Sequence, residues 1–207
     1  MTSHTIIGLV GRAGAGKDTV ALILAETEGV TPIAFADALR QEVKNAFGVG
    51  IECMLHRDEK EQPTKSLAIE RCSDKRFIAR MTALAENPYS PRSPREILQL
   101  WGTEYRRECD SYTYWIDRLQ ETIDHHATGG KAVVVTDVRF VNEALYLKQI
   151  GASLWRVYRP IAELAISTHS SESEIERIEV DRIIVNDGSI GQLVHAARGT
   201  FRKERRG

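Results

Sequence analysis

The chain has 207 residues, and its 28 Lys and Arg against 29 Asp and Glu leave a formal net charge of −1. Hydrophobic residues make up 42% of the chain and charged residues 28%, which is typical of a folded protein and excludes a disordered one. Proteins that hold nucleic acid by counterion release are usually basic, so we expect no stable nucleic-acid partner. No apolar stretch approaches the ~18 residues of a membrane span, so we expect no membrane partner.

Strand-like and helix-like segments alternate along the chain. Residues 5–10 are a short apolar run typical of a buried strand, and a Gly-rich turn then leads into helical periodicity. Further along, Ser93-Pro94-Arg95-Glu96 has the pattern of a capping box with Pro at the first helical position. The alternation predicts an α/β fold in three layers, a five-stranded parallel sheet with helices on both faces. The predicted strands are 5–10, 32–36, 132–136, 154–158 and 182–185, and the predicted helices are 17–28, 37–47, 94–108, 112–126, 140–150 and 189–199.

The length favours a single domain covering residues 1–207. Residues 50–92 are polar, hold three prolines and lack strong periodicity, so we interpret them as an insertion with one or two helices. A second polar segment covers about 160–180. The three cysteines are widely spaced and form no CxxC pair, which argues against a disulfide framework or a zinc site and favours a reducing cytoplasm.

A phosphate-binding loop is predicted between the first strand and the first helix. Residues 11–19 read GRAGAGKDT and fit the pattern GxxxxGK in the strand–loop–helix context that the pattern requires. Glycines let successive backbone N–H groups curl around phosphate oxygens, and the helix N-terminus adds the positive end of its dipole. Lys17 would then reach the β- and γ-phosphates. The alternative is a tight Gly-rich turn that happens to precede a lysine.

The residue after Lys17 is Asp18, where this loop usually carries a Ser or Thr that ligates Mg²⁺. A carboxylate beside bound phosphates would be repelled unless Mg²⁺ or its water shell lies between them. We therefore expect Asp18 or Thr19 to hold the metal, directly or through water. The alternative role for Asp18 is that of a helix N-cap.

The predicted helix from Pro94 carries a polar stripe. At helical spacing Arg95, Gln99, Gly102 and Arg106 fall on one face, and Ile97, Trp101 and Tyr105 fall on the opposite, core-facing side. Arginine suits a phosphate and glutamine suits the edge of a base. Gly102 costs ~1 kcal/mol of helix stability relative to Ala but permits the close approach of a ligand. The stripe indicates a ligand site, and an ordinary solvated face is the alternative.

Charged residues follow the third predicted strand. Asp137 comes directly after an apolar run, and ligands of open α/β sheets bind beyond the carboxyl ends of the strands. Asp137 could therefore orient a phosphate group or a water on Mg²⁺, or it could cap the next helix. Arg139 and Glu143 are four residues apart and could pair with each other or contact the substrate.

Together these segments resemble the phage-type deoxynucleoside monophosphate kinases, a branch of the P-loop nucleotide kinases. The resemblance covers most of the chain, and the GKDT and DVRF blocks are more specific than a bare phosphate loop. It implies transfer of the γ-phosphoryl group of ATP, with Mg²⁺, to a deoxynucleoside monophosphate. The blocks that carry it are residues 11–19, 35–40, 94–107, Trp115, 133–144, 169–172 and 183–190.

The resemblance also implies roles for individual residues. Asp137, Arg139 and Glu143 would lie near the transferred group and act in catalysis with Lys17 and Asp18. Asp18 and Thr19 would serve Mg²⁺. The ATP site would comprise Gly11, Arg12, Gly14, Ala15, Gly16, Lys17, Asp18, Thr19, Arg159 and Asn186, and the monophosphate site Asp37, Arg40, Arg95, Gln99, Gly102, Thr103 and Trp115.

The insertion at 50–92 would then set base selectivity, and 160–180 would form a lid with Arg156 and Arg159 as candidate arginines. The compartment would be the cytoplasm, that of the host if the chain is viral, and a homodimer is possible on this interpretation. Two other functions stay open on the residues alone. One is another small-molecule kinase of the dephospho-coenzyme A type, and the other is a regulator that binds ATP without transferring phosphate.

Overall fold

The computed structural model describes residues 5–55, 58–127, 130–163 and 174–205. Five strands form one parallel sheet in the order β2-β3-β1-β4-β5, which confirms the predicted α/β class. The strands are β1 (Ile6–Val10), β2 (Thr31–Ile33), β3 (Val133–Val138), β4 (Ser153–Tyr158) and β5 (Arg182–Val185). The helices are α1 (Lys17–Glu28), α2 (Phe35–Phe47), α3 (Lys75–Ala83), α4 (Pro94–Gln99), α5 (Tyr114–Ala127), α6 (Val141–Gln149), α7 (Pro160–Glu163) and α8 (Ile190–Glu204).

The centre of the sheet is buried because β1, β3 and β4 are largely apolar, whereas the edge strand β5 is exposed at three of its four positions. β1 is buried at all five positions and pairs in parallel with β3 on one side and β4 on the other, with Ile7 opposite Val134 and Ser153. Alternating strand residues serve the two faces of the sheet. Because β1, β3 and β4 are parallel, their carboxyl ends lie at the same edge of the sheet, together with the loops that follow these strands.

Helices cover both faces. α1 and α8 pack on one face through a core that includes Leu24, Leu193 and Phe201 against Trp155 of β4. On the other face Leu147 of α6 lies 3.0 Å from the position that a Cβ on Gly8 would occupy. Burial of large apolar side chains from both faces supplies most of the stabilising free energy of such a layered fold.

Contacts divide the chain into two compact units, one made of residues 1–35 and 119–207 and the other of residues 36–118. The sheet belongs to the first unit. The second unit is helical in its described part, with an aromatic core in which the ring centroids of Phe77 and Trp101 lie 4.8 Å apart and those of Trp101 and Tyr105 5.2 Å apart. Of the described residues, none forms a helix long and apolar enough to cross a membrane.

Several boundaries differ from prediction; for example, β3 runs to Val138 and not to residue 136, and α8 runs to Glu204 and not to residue 199. β2 ends at Ile33 and α2 begins at Phe35, so the expected strand over 32–36 is too long at its C-terminal end. The Asp137 carboxylate accepts the Phe35 N–H at 2.8 Å, and this bond supplies one of the donors that a helix start leaves unsatisfied. The insertion at 50–92 contains α3 and three short 3₁₀ turns, at Glu52–Met54, Lys65–Leu67 and Ile69–Arg71.

A larger difference is in the predicted helix over 94–108. α4 starts as expected, with Ser93 as N-cap, Pro94 at the first helical position and Glu96 closing the capping box. It ends at Gln99, and Leu100–Asp110 continues as a π-helix. A π-helix bonds i to i+5 and is rare, so a pattern read at 3.6 residues per turn does not reveal it.

Candidate active site

The loop between β1 and α1 is shaped by three glycines with positive φ. Gly11 has φ 153°, Gly14 φ 79° and Gly16 φ 101°. A Cβ on Gly11 would lie 2.5 Å from the Val157 carbonyl oxygen, so only glycine lets the loop pass this close to β4. Successive residues in such conformations turn their N–H groups into a concave nest for anions, at the positive end of α1.

Lys17 and Asn186 both contact the loop backbone. The Lys17 ammonium donates to the carbonyl oxygens of Gly11 at 2.6 Å and Arg12 at 3.0 Å. Asn186, directly after β5, donates from Nδ2 to the carbonyl of Ala15 at 2.8 Å. The Asn186 amide also lies 2.5 Å from the position of a Cβ on Gly16, so a side chain there would displace Asn186, and the φ of 101° itself favours glycine.

Two arginines lie at the same loop. Arg159 donates from Nη1 to the Gly14 carbonyl at 3.3 Å. Arg12 pairs through Nε with the Glu163 carboxylate at 2.9 Å and through Nη2 with Glu176. The residues predicted for the ATP site therefore lie together within one unit of the chain, and their role in binding ATP stays a prediction.

Asp18 and Thr19 are exposed in the first turn of α1. The N-cap of this helix is Gly16, so the alternative role of Asp18 as an N-cap is wrong. Carboxylate and hydroxyl oxygens are ligands that Mg²⁺ accepts, and one or two of them beside substrate phosphates is its usual arrangement. Among the described residues no cluster of three or more His, Cys, Asp or Glu is present that could hold a metal ion.

Asp137, Arg139 and Glu143 surround the turn from β3 into α6. Asp137 lies inside β3 near its carboxyl end, and the N-cap of α6 is Phe140, so the alternative of Asp137 as a helix cap is wrong. The buried Glu143 carboxylate accepts the N–H groups of Arg139 at 2.9 Å and Phe140 at 3.1 Å. Its contacts are thus those of a group that fixes this turn, while its catalytic role stays a prediction.

The predicted monophosphate residues lie in the second unit. Asp37 and Arg40, both on α2, form an ion pair at 2.8 Å. Arg95, exposed on α4, pairs with Glu61 at 2.5 Å, and since both side chains are about half exposed the pair contributes little stability. Gln99, at the end of α4, and Thr103, in the π-helix, are both partly exposed.

Gly102 and Trp115 contact each other. Both are buried, and the Trp115 indole N–H donates to the Gly102 carbonyl at 3.0 Å. A Cβ on Gly102 would lie 3.4 Å from the Leu39 side chain, so the glycine fits closely against α2. The predicted stripe is therefore not one continuous solvent face, because Gly102 turns toward α2 within its unit.

Glu42 on α2 is a residue that the sequence does not single out. Its carboxylate accepts hydrogen bonds from Trp101 Nε1 at 2.8 Å, Arg106 Nε at 2.8 Å and Tyr114 Oη at 2.6 Å. Burial and the bond to Glu42 raise the pKa of Tyr114. A glutamate on an amphipathic helix carries no sequence signal that distinguishes such a junction from an ordinary surface charge.

The strand order and the glycine loop define a P-loop nucleotide-binding α/β protein with an added helical unit. Residues 51–196 match the family model "Deoxynucleotide monophosphate kinase". The chain belongs to this family, so the resemblance noted from the sequence is confirmed, and a kinase is favoured over a non-catalytic ATP-binding protein.

Viral proteins are among the relatives. A mimivirus protein (Acanthamoeba polyphaga mimivirus), provisionally named a deoxynucleotide monophosphate kinase, is 28% identical over 204 residues, covering 91% of each chain. The deoxynucleoside-5'-monophosphate kinase of Escherichia phage T5 is also 28% identical, with 87% of this chain and 89% of the relative covered. Dephospho-CoA kinase from Campylobacter jejuni has a similar structure, with a TM-score of 0.50 over 99% of both chains, but at 15% identity this likeness shows the fold alone.

Proposed function

We propose that this protein transfers the γ-phosphoryl group of ATP to a deoxynucleoside 5'-monophosphate, giving ADP and the deoxynucleoside diphosphate. The observation that carries the proposal is the phosphate loop. Its three glycines have positive φ, and it lies between β1 and α1 in a chain that matches the kinase family over residues 51–196. In the reaction, an oxygen of the acceptor phosphate attacks Pγ, and the bond from Pγ to the β,γ-bridging oxygen breaks.

Catalysis of this kind depends on positioning and charge neutralisation. Lys17 is the proposed cation at the β- and γ-phosphates, because its ammonium already lies at the loop backbone that would surround them. Arg159 is the proposed second positive charge there, and its bond to the Gly14 carbonyl supports this role. Asn186 supports the site by bonding the Ala15 carbonyl, which fixes the peptide next to Gly16.

Mg²⁺ would be held by Asp18 or Thr19, whose exposed oxygens follow Lys17 directly. When bound, Mg²⁺ neutralises charge on the phosphates. Asp137 is the proposed acidic group for the transferred phosphoryl group or for a metal-bound water. Arg139 stays a candidate for charge neutralisation, and Glu143 holds the turn that carries it.

For the acceptor we propose a site on the second unit that uses Asp37, Arg40, Arg95, Gln99, Gly102, Thr103 and Trp115. Gln99 and Thr103 offer partly exposed polar groups, and Trp115 acts through its bond to Gly102. The 50–92 insertion would contribute base selectivity. Residues 164–173 of the proposed lid at 160–180 lie outside the described residues.

A deoxynucleoside monophosphate is the partner that we propose, and a homodimer is possible on the same proposal. The proposed compartment is the cytoplasm, that of the host if the chain is viral. Its support is that the mimivirus protein and the phage T5 kinase are viral proteins.

A product panel tests the function. The protein is incubated with ATP, Mg²⁺ and each of dAMP, dGMP, dCMP and dTMP, and the products are separated by ion-exchange chromatography. We expect ADP and the matching diphosphate from at least one of the four. The four ribonucleotides and dephospho-coenzyme A are assayed in parallel, with the Lys17→Ala variant as the control for contaminating kinases.

The outcomes separate the alternatives. Failure to form a diphosphate from any of the four deoxynucleotides would refute the proposal. Phosphorylation of dephospho-coenzyme A alone would indicate a different kinase. ATP binding in equilibrium dialysis without transfer to any acceptor would indicate a regulator.

A further inference from the structure

The π-helix over Leu100–Asp110 places residues five apart on the same side. Its end is marked by the bond from the Ser111 N–H to the Arg106 carbonyl at 3.1 Å, an i to i+5 bond. In an α-helix residues five apart point about 140° away from each other, whereas at the roughly 80° per residue of a π-helix they point only about 40° apart. Trp101 and Arg106 are such a pair.

Trp101 and Arg106 donate hydrogen bonds to the same carboxylate oxygen of Glu42. The indole Nε1 and the guanidinium Nε each donate to Oε2 of Glu42, both at 2.8 Å. Two donors five residues apart can reach one oxygen on α2 because the segment has the π register. In the α register their directions would diverge, and one of the two bonds would be lost.

The Arg106 guanidinium is held from several sides. It lies 4.7 Å from the ring centroid of Tyr105, 5.0 Å from that of Tyr114 and 5.4 Å from that of Trp101. It also bonds Asp110 at 2.8 Å. Burial lowers the pKa of Arg106, but the hydrogen bonds with Asp110 and Glu42 outweigh burial, so the net pKa is raised and the group stays charged. A partly buried guanidinium among aromatic rings is stable only when carboxylates pair with it, and here these are Glu42 and Asp110.

The register matters because the π-helix carries two residues of the proposed acceptor site, Gly102 and Thr103. Each residue that returned from the π to the α register would turn by roughly 20° relative to the one before, so the change accumulates along the segment. Thr103 would rotate, and the Gly102 carbonyl would leave the Trp115 indole. The π-helix therefore sets which groups of this segment face a ligand.

We propose that Glu42 is a positioning residue that selects the π register of residues 100–110 and so aligns Gly102 and Thr103 for the deoxynucleoside monophosphate. This inference rests on the proposed function. It adds a residue outside the proposed ligand contacts that determines acceptor binding and leaves the ATP site unchanged.

The test uses Glu42→Gln, which keeps the size of the side chain and removes its charge. The KM values for the best deoxynucleotide and for ATP are measured together with kcat. We expect the KM for the monophosphate to rise about 10-fold or more, with the KM for ATP and kcat within about threefold of the unmodified protein. Hydrogen exchange of the amides in 105–111 should become faster, because the i to i+5 bonds are weakened.

Two further variants keep the result interpretable. Tyr114→Phe removes one bond to Glu42 and keeps the ring beside Arg106, so we expect smaller changes in the same direction even if Glu42→Gln folds poorly. Glu26→Gln, at an exposed position of α1, is the matched charge control. It should change neither the KM for the monophosphate nor the exchange rate of the amides in 105–111.

Unchanged exchange in 105–111 in both Glu42→Gln and Tyr114→Phe would overturn the proposal. A decrease in kcat together with an increase in the KM values for both ATP and the monophosphate would also overturn it, since this result would indicate a general structural role. The exchange experiment needs no turnover. If the unmodified protein phosphorylates no deoxynucleotide, the proposed function fails, while faster exchange would still support the control of register by Glu42.

Discussion

The phosphate loop and the 94–115 segment build their surfaces in opposite ways. The loop presents main-chain groups, and its shape follows from three glycines and the junction of β1 with α1. The 94–115 segment presents side chains, and its shape follows from side-chain bonds among Glu42, Arg106, Tyr114 and Trp101. A main-chain site tolerates most changes of side chain, whereas a site held by side chains depends on each partner.

This difference predicts separable effects of substitution. Changes in the loop should alter ATP binding and the rate of transfer. Changes in the 94–115 segment should alter which acceptor is bound and how tightly, with little effect on ATP. A variant in one region that changed both ATP binding and acceptor binding would contradict this separation of roles.

The largest effect is expected for Lys17→Ala. Lys17 is the proposed side-chain cation at the transferred group, and removing one electrostatic contact to a transition state costs ~10²–10³ in rate. We expect kcat/KM to fall by that factor, measured with a coupled ADP assay. Lys203→Ala, an exposed lysine in the last turn of α8, is the control and should keep full activity. Activity within threefold for Lys17→Ala would contradict the assignment.

Asp137→Asn should reduce kcat by about 10²-fold with little loss of stability. The amide oxygen of asparagine can still accept the Phe35 N–H that Asp137 accepts at 2.8 Å, so the start of α2 should be preserved. Asp137→Ala loses this acceptor as well and should also unfold more easily, by about 1–3 kcal/mol in denaturant titrations. Equal kcat for Asp137→Asn and the unmodified protein would show that Asp137 acts only through its hydrogen bond with the Phe35 N–H.

Gly16→Ala tests the main-chain character of the loop. Its φ of 101° and a Cβ 2.5 Å from Asn186 Nδ2 make the substitution strained. We expect the KM for ATP to rise roughly 10-fold and stability to fall by about 1–3 kcal/mol. Gly29→Ala shares the positive φ, at 69°, but has no atom within 4 Å of the new Cβ, so it should lose stability without changing the KM for ATP. An unchanged KM for Gly16→Ala would show that the loop does not need this glycine.

The two regions also differ in how far the sequence predicts them. The phosphate loop is local, so the pattern at 11–19 and the helix over 17–28 follow from neighbouring residues, and the α1 bounds agree with prediction. The π-helix is not local. Its register is stabilised by Glu42, which lies 64 positions before Arg106, and periodicity within the segment carries no trace of that bond. Burial of Ile97, Trp101 and Tyr105 is confirmed, because residues four apart lie on the same side of the segment in an α-helix and in a π-helix alike.

Gln99→Ala tests whether the 94–115 segment recognises the base of the acceptor. Gln99 is partly exposed at the end of α4, where its amide could bond the edge of a base. Losing one such bond should shift the ratio of kcat/KM between bases by about fivefold, with unchanged Tm and an unchanged KM for ATP. A uniform decrease for all four deoxynucleotides would show that Gln99 does not read the base.

The smallest effect concerns the stability of the second unit at alkaline pH. Burial and the hydrogen bond from Tyr105 Oη to Asp74 at 2.8 Å raise the pKa of Tyr105 to about 12, against 10.0 for the exposed group. The unfolded chain therefore releases this proton at lower pH than the folded protein does. The contribution of Tyr105 is fully present below pH 10.0 and is lost as the pH rises toward about 12. In denaturant titrations at several pH values, Tyr105→Phe should be less stable at pH 8 and should show a shallower decline above pH 10, and parallel curves would contradict the assignment.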